Sequence, residues 1–116
     1  MSNWDDNIPI YLQLRSTVVQ RIVSGSLGEG EAVPSVRQVA AEEKINPLTV
    51  SKAYQMLVDE ELLEKRRGLG MFVQTGAQAK ALQQERATFL QHEWPRVRLR
   101  MQMLGLDVKQ MLEEGA

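Results

Sequence analysis

The stretch Pro34-Ser-Val-Arg-Gln-Val-Ala-Ala-Glu-Glu-Lys-Ile-Asn-Pro-Leu-Thr-Val-Ser-Lys-Ala-Tyr54 decides the fold of this chain. Ser35 and Gln38, three residues apart, form a capping box, which predicts that a helix begins at Ser35. Asn46 is a strong N-cap residue, and Pro47 suits the first helical position because an N–H would have no partner there. The stretch therefore predicts two short helices separated by a tight turn.

Apolar residues recur at helical spacing through both predicted helices, so that each has one face for a core. The first helix should stop near Lys44. The predicted inward-facing residues are Val36, Val39 and Ala40 in the first helix and Val50, Ala53, Tyr54 and Leu57 in the second. Upstream, residues 9–24 have the same apolar spacing, with Pro9 at their start and Gly25 at their end, and predict a further helix.

A basic hairpin follows the second of these helices. Leu62–Lys65 and Met71–Gln74 are strand candidates on either side of Arg66-Arg-Gly-Leu-Gly70. We expect the two glycines to adopt positive φ angles, which tight hairpins need and which glycine accepts without strain. The order of helices and hairpin predicts a winged helix-turn-helix domain at residues 9–76.

A helix-turn-helix reads duplex DNA through the first residues of its second helix. Arg37 is a candidate for a bidentate contact to guanine or phosphate, and Leu48 suits a thymine methyl group. Thr49 and Ser51 offer hydroxyl groups to phosphates or bases, while the hairpin offers cations to phosphates or the minor groove. The candidate DNA-binding residues are Ser35, Arg37, Asn46, Leu48, Thr49, Ser51, Lys52, Lys65, Arg66, Arg67, Gly68 and Gly70.

Each of these features also has an ordinary structural explanation. Ser35 and Asn46 can cap helices whether or not DNA is bound, and an Arg-Arg pair in a hairpin is commonly just solvated. A winged helix can also serve as a protein-interaction module, which would show no salt-dependent DNA binding and no preference for palindromes. The conjunction of two closely spaced helices and a basic hairpin, in this order, favours DNA.

The composition argues against several other classes of protein. The chain has 116 residues, a formal net charge of −1, no cysteine and a single histidine. It therefore has no thiol nucleophile. The sequence also has no cluster of carboxylates and no phosphate-binding loop before a helix, so nothing in it suggests an enzyme. The sequence has no apolar run of about eighteen residues that could span a membrane, and the acidic N-terminus does not resemble a signal peptide. We expect a cytoplasmic protein without enzymatic activity, cofactor or bound metal.

The tail, residues 77–116, is too short to form a separate ligand-binding core. Residues 77–93 predict a helix, which Trp94-Pro95 should break because the residue before proline avoids the helical region. Gly105 should interrupt the next helical stretch, and Asp107 can cap a last turn. The tail carries more apolar side chains than it can bury alone, which favours a homodimer. The candidate dimerisation residues are Leu82, Phe89, Leu90, Trp94, Val97, Met101 and Leu104.

The motif residues closely resemble the DNA-binding signature of the GntR family of bacterial transcription regulators. The patterns Pro-Ser-x-Arg-x-x-Ala, Thr-Val-x-x-Ala-Tyr and Arg-x-Gly-x-Gly-x-Phe-Val are matched between Pro34 and Val73, and Pro9-Ile-Tyr-x-Gln13 also fits. The short tail is similar to that of the YtrA subfamily. The resemblance implies a mainly α (α+β) fold, with a winged helix-turn-helix followed by a helical tail that forms the homodimer. It also implies a palindromic operator and repression of a transporter or similar operon, while the operator sequence and any small-molecule effector stay open.

Overall fold

The computed structural model describes residues 4–114 of the chain. The first three residues, part of the acidic N-terminus, and the last two residues of the predicted tail lie outside the described residues. The elements in chain order are α1 Ile10–Ser24, α2 Val36–Glu43, α3 Pro47–Asp59, β1 Leu63–Arg66, β2 Gly70–Val73, α4 Ala77–Thr88, a π-helical turn Phe89–Glu93, α5 Trp94–Met103 and α6 Val108–Glu114. The predicted mainly α fold with one small hairpin is confirmed.

Helix α1 lies within its predicted limits. Pro9 is its N-cap residue, and Leu14, Val18 and Ile22 form its buried side. Gly25 terminates the helix with φ 85°, a left-handed conformation that glycine adopts without a steric penalty. The predicted helix and its glycine stop are both confirmed.

The two motif helices begin at their predicted caps. The Ser35 hydroxyl oxygen accepts a hydrogen bond from the Gln38 backbone N–H at 3.0 Å, and Asn46 Oδ1 accepts one from the Leu48 backbone N–H at 2.9 Å. Helix α2 ends at Lys44, which has φ 56°. Val36 differs from the prediction because it is only half-buried, being the first residue of α2 at the edge of the core.

The hairpin lies within one residue of its predicted limits. Leu63 pairs with Val73 and Arg66 with Gly70 in an antiparallel register. Gly68 and Gly70 have φ angles of 76° and 110°, as predicted for the tight connection. An isolated bridge between Ala32 and Phe72 adds a third short segment beside β2. This segment leads directly into α2, so the wing and the motif helices are held together through backbone hydrogen bonds.

The described part of the chain divides after Leu82 into two compact units. This division lies within α4 and not after Gly76, where the sequence placed the predicted domain boundary. Ala77 and Ala81 explain the difference, because both are fully buried in the core of the first unit. The first turns of α4 therefore belong structurally with the winged helix.

The tail does not break at Trp94-Pro95, and the predicted interruption there is wrong. Trp94 has helical angles, φ −56° and ψ −43°, and its N–H donates to the carbonyl of Phe89, five residues earlier. A proline ring crowds the carbonyl four residues before it and provides no N–H. The wider π-helical turn relieves that crowding, so the chain continues helically through Pro95.

The end of the tail follows the sequence prediction. Gly105 interrupts the helical path with φ 70°, and Asp107 Oδ1 accepts a hydrogen bond from the Lys109 backbone N–H at 3.0 Å. Neither α5, α6 nor the π-helical turn contains a buried residue. Within residues 4–114, no helix is both long and apolar enough to cross a bilayer.

Candidate nucleic-acid interface

Helix α3 presents the predicted recognition residues on the face opposite the core. Its inner residues Val50 and Leu57 are fully buried, which fixes the rotation of the helix about its axis. Leu48 is 75% exposed as a result, and Ser51 and Lys52 are also exposed. Thr49 is half-buried, so it presents less of its surface than these neighbours do.

Tyr54 ties α3 to the start of α2. Its hydroxyl group donates a hydrogen bond of 2.6 Å to the carbonyl of Pro34, immediately before the N-cap residue Ser35. Burial raises the pKa of Tyr54 to about 12, and the Arg21 guanidinium opposes that shift only in part. The phenol therefore stays protonated at neutral pH and donates this hydrogen bond, which fixes the spacing of the two motif helices.

Arg37 lies in the first turn of α2 and is exposed. It borders a surface depression together with Pro47, the first residue of α3. Among residues 4–114 no ion pair involves Arg37. Its guanidinium group is therefore available to an anionic or base-edge partner beside the start of α3.

The wing cations differ in how strongly the protein itself engages them. Arg66 forms an ion pair with Glu64 at 2.9 Å and lies over the Phe72 ring, 4.2 Å from its centroid. Lys65 and Arg67 are exposed and take part in no ion pair within the described part of the chain. Arg66 is therefore partly engaged in stabilising the wing, whereas no ion pair competes for Lys65 and Arg67 in this part of the chain.

A cleft of about 390 Å³ joins the start of α2, the exposed side of α3 and the wing. Four of the predicted DNA-binding residues line it: Ser35, Ser51, Lys65 and Gly70. The other predicted residues lie outside this lining, namely Arg37, Asn46, Leu48, Thr49, Lys52, Arg66, Arg67 and Gly68. The cleft brings the three elements together on one exposed face, although they are separated along the chain.

Three residues near this face were not among the DNA-binding candidates predicted from the sequence. Gln55 and Leu69 line the cleft, and Tyr11 on α1 lies beneath Lys52, whose Nζ is 4.0 Å from the ring centroid. The position of Gln55, one helical turn after Ser51, could have indicated it. Nothing local to the sequence pairs Tyr11 with Lys52, because that contact depends on how α1 packs against α3.

The candidate dimerisation residues lie along the tail helices and are mostly exposed. The rings of Phe89 and Trp94 stack with their centroids 6.5 Å apart. Residues five apart point about 140° away from each other on an α-helix, so the π-helical turn is what aligns these two rings. Trp94 and Met101 are half-buried, whereas the remaining candidates expose more of their side chains: Leu82, Phe89, Leu90, Val97 and Leu104.

Comparison with known proteins finds a family match within the first unit and relatives that are similar over most of the chain. The model of the family described as bacterial regulatory proteins, gntR family, matches residues 10–73. The "Uncharacterized HTH-type transcriptional regulator YhcF" of Bacillus subtilis is 31% identical over 90% of this chain and 85% of its own length. The "HTH-type transcriptional repressor YtrA" of the same organism is 29% identical over 90% of this chain and 80% of its own length.

Solved structures share the fold, one of them over nearly the whole chain. A transcriptional regulator from Oenococcus oeni superimposes with a TM-score of 0.78 at 27% identity, covering 98% of this chain and 95% of that one. The DNA-binding domain of AraR, solved in complex with operator ORR3, has a TM-score of 0.55 at 25% identity. That match covers 63% of this chain and 86% of the AraR domain.

Proposed function

We propose that this chain, which belongs to the GntR family of bacterial regulatory proteins, is a homodimeric repressor that binds a palindromic operator. Members of that family are DNA-binding transcription regulators and not enzymes, and this chain is one of them. The finer proposal covers the repressor role, the dimer and the symmetric operator. It also places the protein in the bacterial cytoplasm, where its DNA target lies.

The observation that carries the proposal is the exposed face where α2, α3 and the wing meet. Lys65 and Ser51 line its cleft, and Arg37 lies beside the start of α3. We propose that α3 enters the major groove, with Leu48 and Ser51 toward base edges and Arg37 toward a guanine or a phosphate. Lys65 and Arg67 then neutralise phosphates beside the groove, which makes binding salt-dependent.

The tail supports the homodimer. Every large apolar side chain of the described tail from Gln83 onward is half-buried or exposed. A second copy of the tail would cover these side chains and would place two α3 helices on one duplex, as a two-fold palindrome requires. We therefore propose residues 9–76, with the first turns of α4, as the DNA-binding part and the rest of the tail as the dimerisation part.

The repressor role is supported by the likeness to YtrA of Bacillus subtilis, whose name describes it as a transcriptional repressor. A dimer bound over a promoter blocks access of the polymerase without requiring catalytic groups. By resemblance to the YtrA subfamily, the regulated genes are expected to be a transporter or similar operon.

Selection of bound sequences from a random duplex pool tests the proposal directly. We expect a palindrome with two half-sites about one helical turn apart, whose affinity falls steeply as salt rises. Reporter transcription from a promoter carrying that palindrome should fall when the protein is supplied. Recovery of no preferred sequence, with no salt-dependent binding, would favour a protein-interaction module instead.

Substitution of Arg37 tests the proposed docking on the selected site. We expect Arg37→Ala to cost about 1–3 kcal/mol, or roughly a 5- to 150-fold loss of affinity, and to relax preference at one position per half-site. Arg86→Ala is the matched control, because Arg86 is an exposed arginine on α4 that is not among the candidate DNA-binding residues. Unchanged affinity and preference in Arg37→Ala would show that the start of α2 does not contact the operator as proposed.

A further inference from the structure

The tip of the wing carries an apolar side chain that the fold does not use. Leu69 is 72% exposed and lies between Gly68 and Gly70, both with positive φ. Its own N–H donates to the Arg66 carbonyl at 2.9 Å, which closes the tight turn. Among the described residues of the first unit, only Leu48 is a large apolar residue with greater exposure.

The two leucines lie on the two elements proposed to bind DNA. Leu48 is the second residue of α3, and Leu69, on the wing, lines the cleft between α3 and the wing together with Ser51 and Lys65. The other large apolar side chains of this unit are mostly covered, so both exposed leucines lie where the proposed function places DNA. The Leu48 side chain suits a thymine methyl group in the major groove.

The major and minor grooves of duplex DNA differ in width, which suggests different roles for the two leucines. An α-helix with its side chains is about 10–12 Å across and fills a major groove about 12 Å wide. With α3 in the major groove, as proposed above, the wing beside it would reach the neighbouring minor groove, which is about 6 Å wide and admits a narrow hairpin tip. Lys65 and Arg67 lie in the same hairpin as Leu69 and can bind phosphates on the walls of that groove.

We propose that Leu69 enters the minor groove at each half-site and favours A·T over G·C pairs there. The reason is chemical: the minor-groove edge of a G·C pair adds the guanine N2 amino group, a donor that A·T pairs lack. Leucine offers no acceptor to that donor, so covering it leaves the amino group without a partner. The proposal rests on the DNA-binding function and adds a position of sequence preference to it.

Nucleotide analogues that change only the minor groove provide the test. In the selected operator, each adenine is replaced in turn by 2,6-diaminopurine, which adds the N2 amino group and keeps the major-groove edge of adenine. We expect a 5- to 50-fold loss of affinity, roughly, at one or two positions per half-site and nearly none elsewhere. A G·C pair at those positions should bind as weakly, and inosine in place of guanine should restore affinity by removing the same amino group.

Two variants assign the effect to its side chain. Leu69→Ala should bind A·T, diaminopurine and inosine versions of the site equally, while retaining the circular dichroism spectrum of the parent because Leu69 packs against little. Leu48→Ala is the matched control: it should keep the full diaminopurine penalty and lose only the response to replacing thymine with uracil.

The outcomes separate this proposal from the function beneath it. An operator bound tightly with no position sensitive to the N2 amino group overturns the role of Leu69 and leaves DNA binding intact. A penalty that persists unchanged in Leu69→Ala also overturns it, because the sensitivity then comes from DNA shape or another residue. If no duplex is bound at all, the proposed function fails, and the proposal for Leu69 fails with it.

Discussion

Leu57 on α3 is fully buried, whereas Val97 and Leu99 on α5 keep 44% and 58% of their surface exposed. The same contrast holds across the two units. Residues up to Leu82 enclose a continuous apolar core, and the described tail after Leu82 buries no side chain. Burial of apolar surface is the main stabilising contribution to folding. The first unit therefore carries its own stability, while the tail needs another surface to cover its apolar residues.

The largest expected effect comes from placing a charge on the apolar surface of the tail. Trp94→Asp places a charge among the apolar residues of α5 and should convert a dimer into a monomer at micromolar concentration. Loss of the linkage between two half-site contacts should weaken binding to the palindrome by about 10²- to 10⁴-fold. Sedimentation equilibrium and titration of the selected duplex measure the two effects.

Leu99→Asp is the matched control for that variant. Leu99 is also exposed on α5, but it lies five residues after Trp94 and so about 140° around the helix. We expect it to remain dimeric. A parent protein that sediments as a monomer would refute the dimer, and dissociation by Leu99→Asp alone would place the interface on the opposite side of α5.

A second prediction compares equal truncations in the two units. Leu57→Ala should lower the free energy of unfolding by about 2–5 kcal/mol, because it leaves a cavity in a closed core. Met103→Ala, at a side chain that is 78% exposed, should change the same quantity by less than about 0.5 kcal/mol. Urea titration at one fixed protein concentration compares them, and similar losses would mean that the tail is packed as tightly as the first unit.

Alkaline pH should weaken the first unit through Tyr54. Burial raises the pKa of this phenol from 10.0 to about 12, so its stabilising contribution is complete below pH 10 and is lost as pH rises toward 12. Tyr54→Phe should lack this decline, and at neutral pH it should cost about 1 kcal/mol for the lost bond to Pro34. The difference between parent and variant, measured by urea titration at several pH values, should shrink above pH 10; a constant difference contradicts the assignment.

The smallest expected effect distinguishes the wing cations. Arg67→Gln should reduce the slope of log affinity against log salt by about one per half-site, because one phosphate contact is lost. Arg66→Gln should change the slope less, since Arg66 already pairs with Glu64 and lies over Phe72. Affinities over a series of salt concentrations decide this, and a larger change for Arg66 would reverse the two roles.

Local signals in the sequence were sufficient for most of the first unit. Ser35 and Asn46 cap their helices through bonds to nearby backbone N–H groups, and Gly25 and Gly70 adopt angles that other residues avoid. Each of these depends on a few neighbouring residues, so it can be read before the fold is known. The DNA contacts themselves stay predictions, because they depend on a partner.

Features that depend on packing could not be read in this way. The contact of Lys52 with Tyr11 joins two helices that are distant along the chain. At Trp94 a sound local rule failed, because a helix can pass a proline by widening one turn. Ala77 and Ala81 follow the apparent end of the domain, and only the folded core shows that they belong to it.

Glu29 has a consequence for the rate of amide hydrogen exchange. Its two carboxylate oxygens accept hydrogen bonds from the backbone N–H groups of Gly76 at 2.9 Å and Gln78 at 3.3 Å. The first amides of a helix have no acceptor within it and ordinarily exchange quickly with solvent deuterium. Because Glu29 is distant in sequence, the amides of Gly76 and Gln78 are protected only while its loop stays against the start of α4. Their exchange rates therefore report opening of that junction separately from global unfolding.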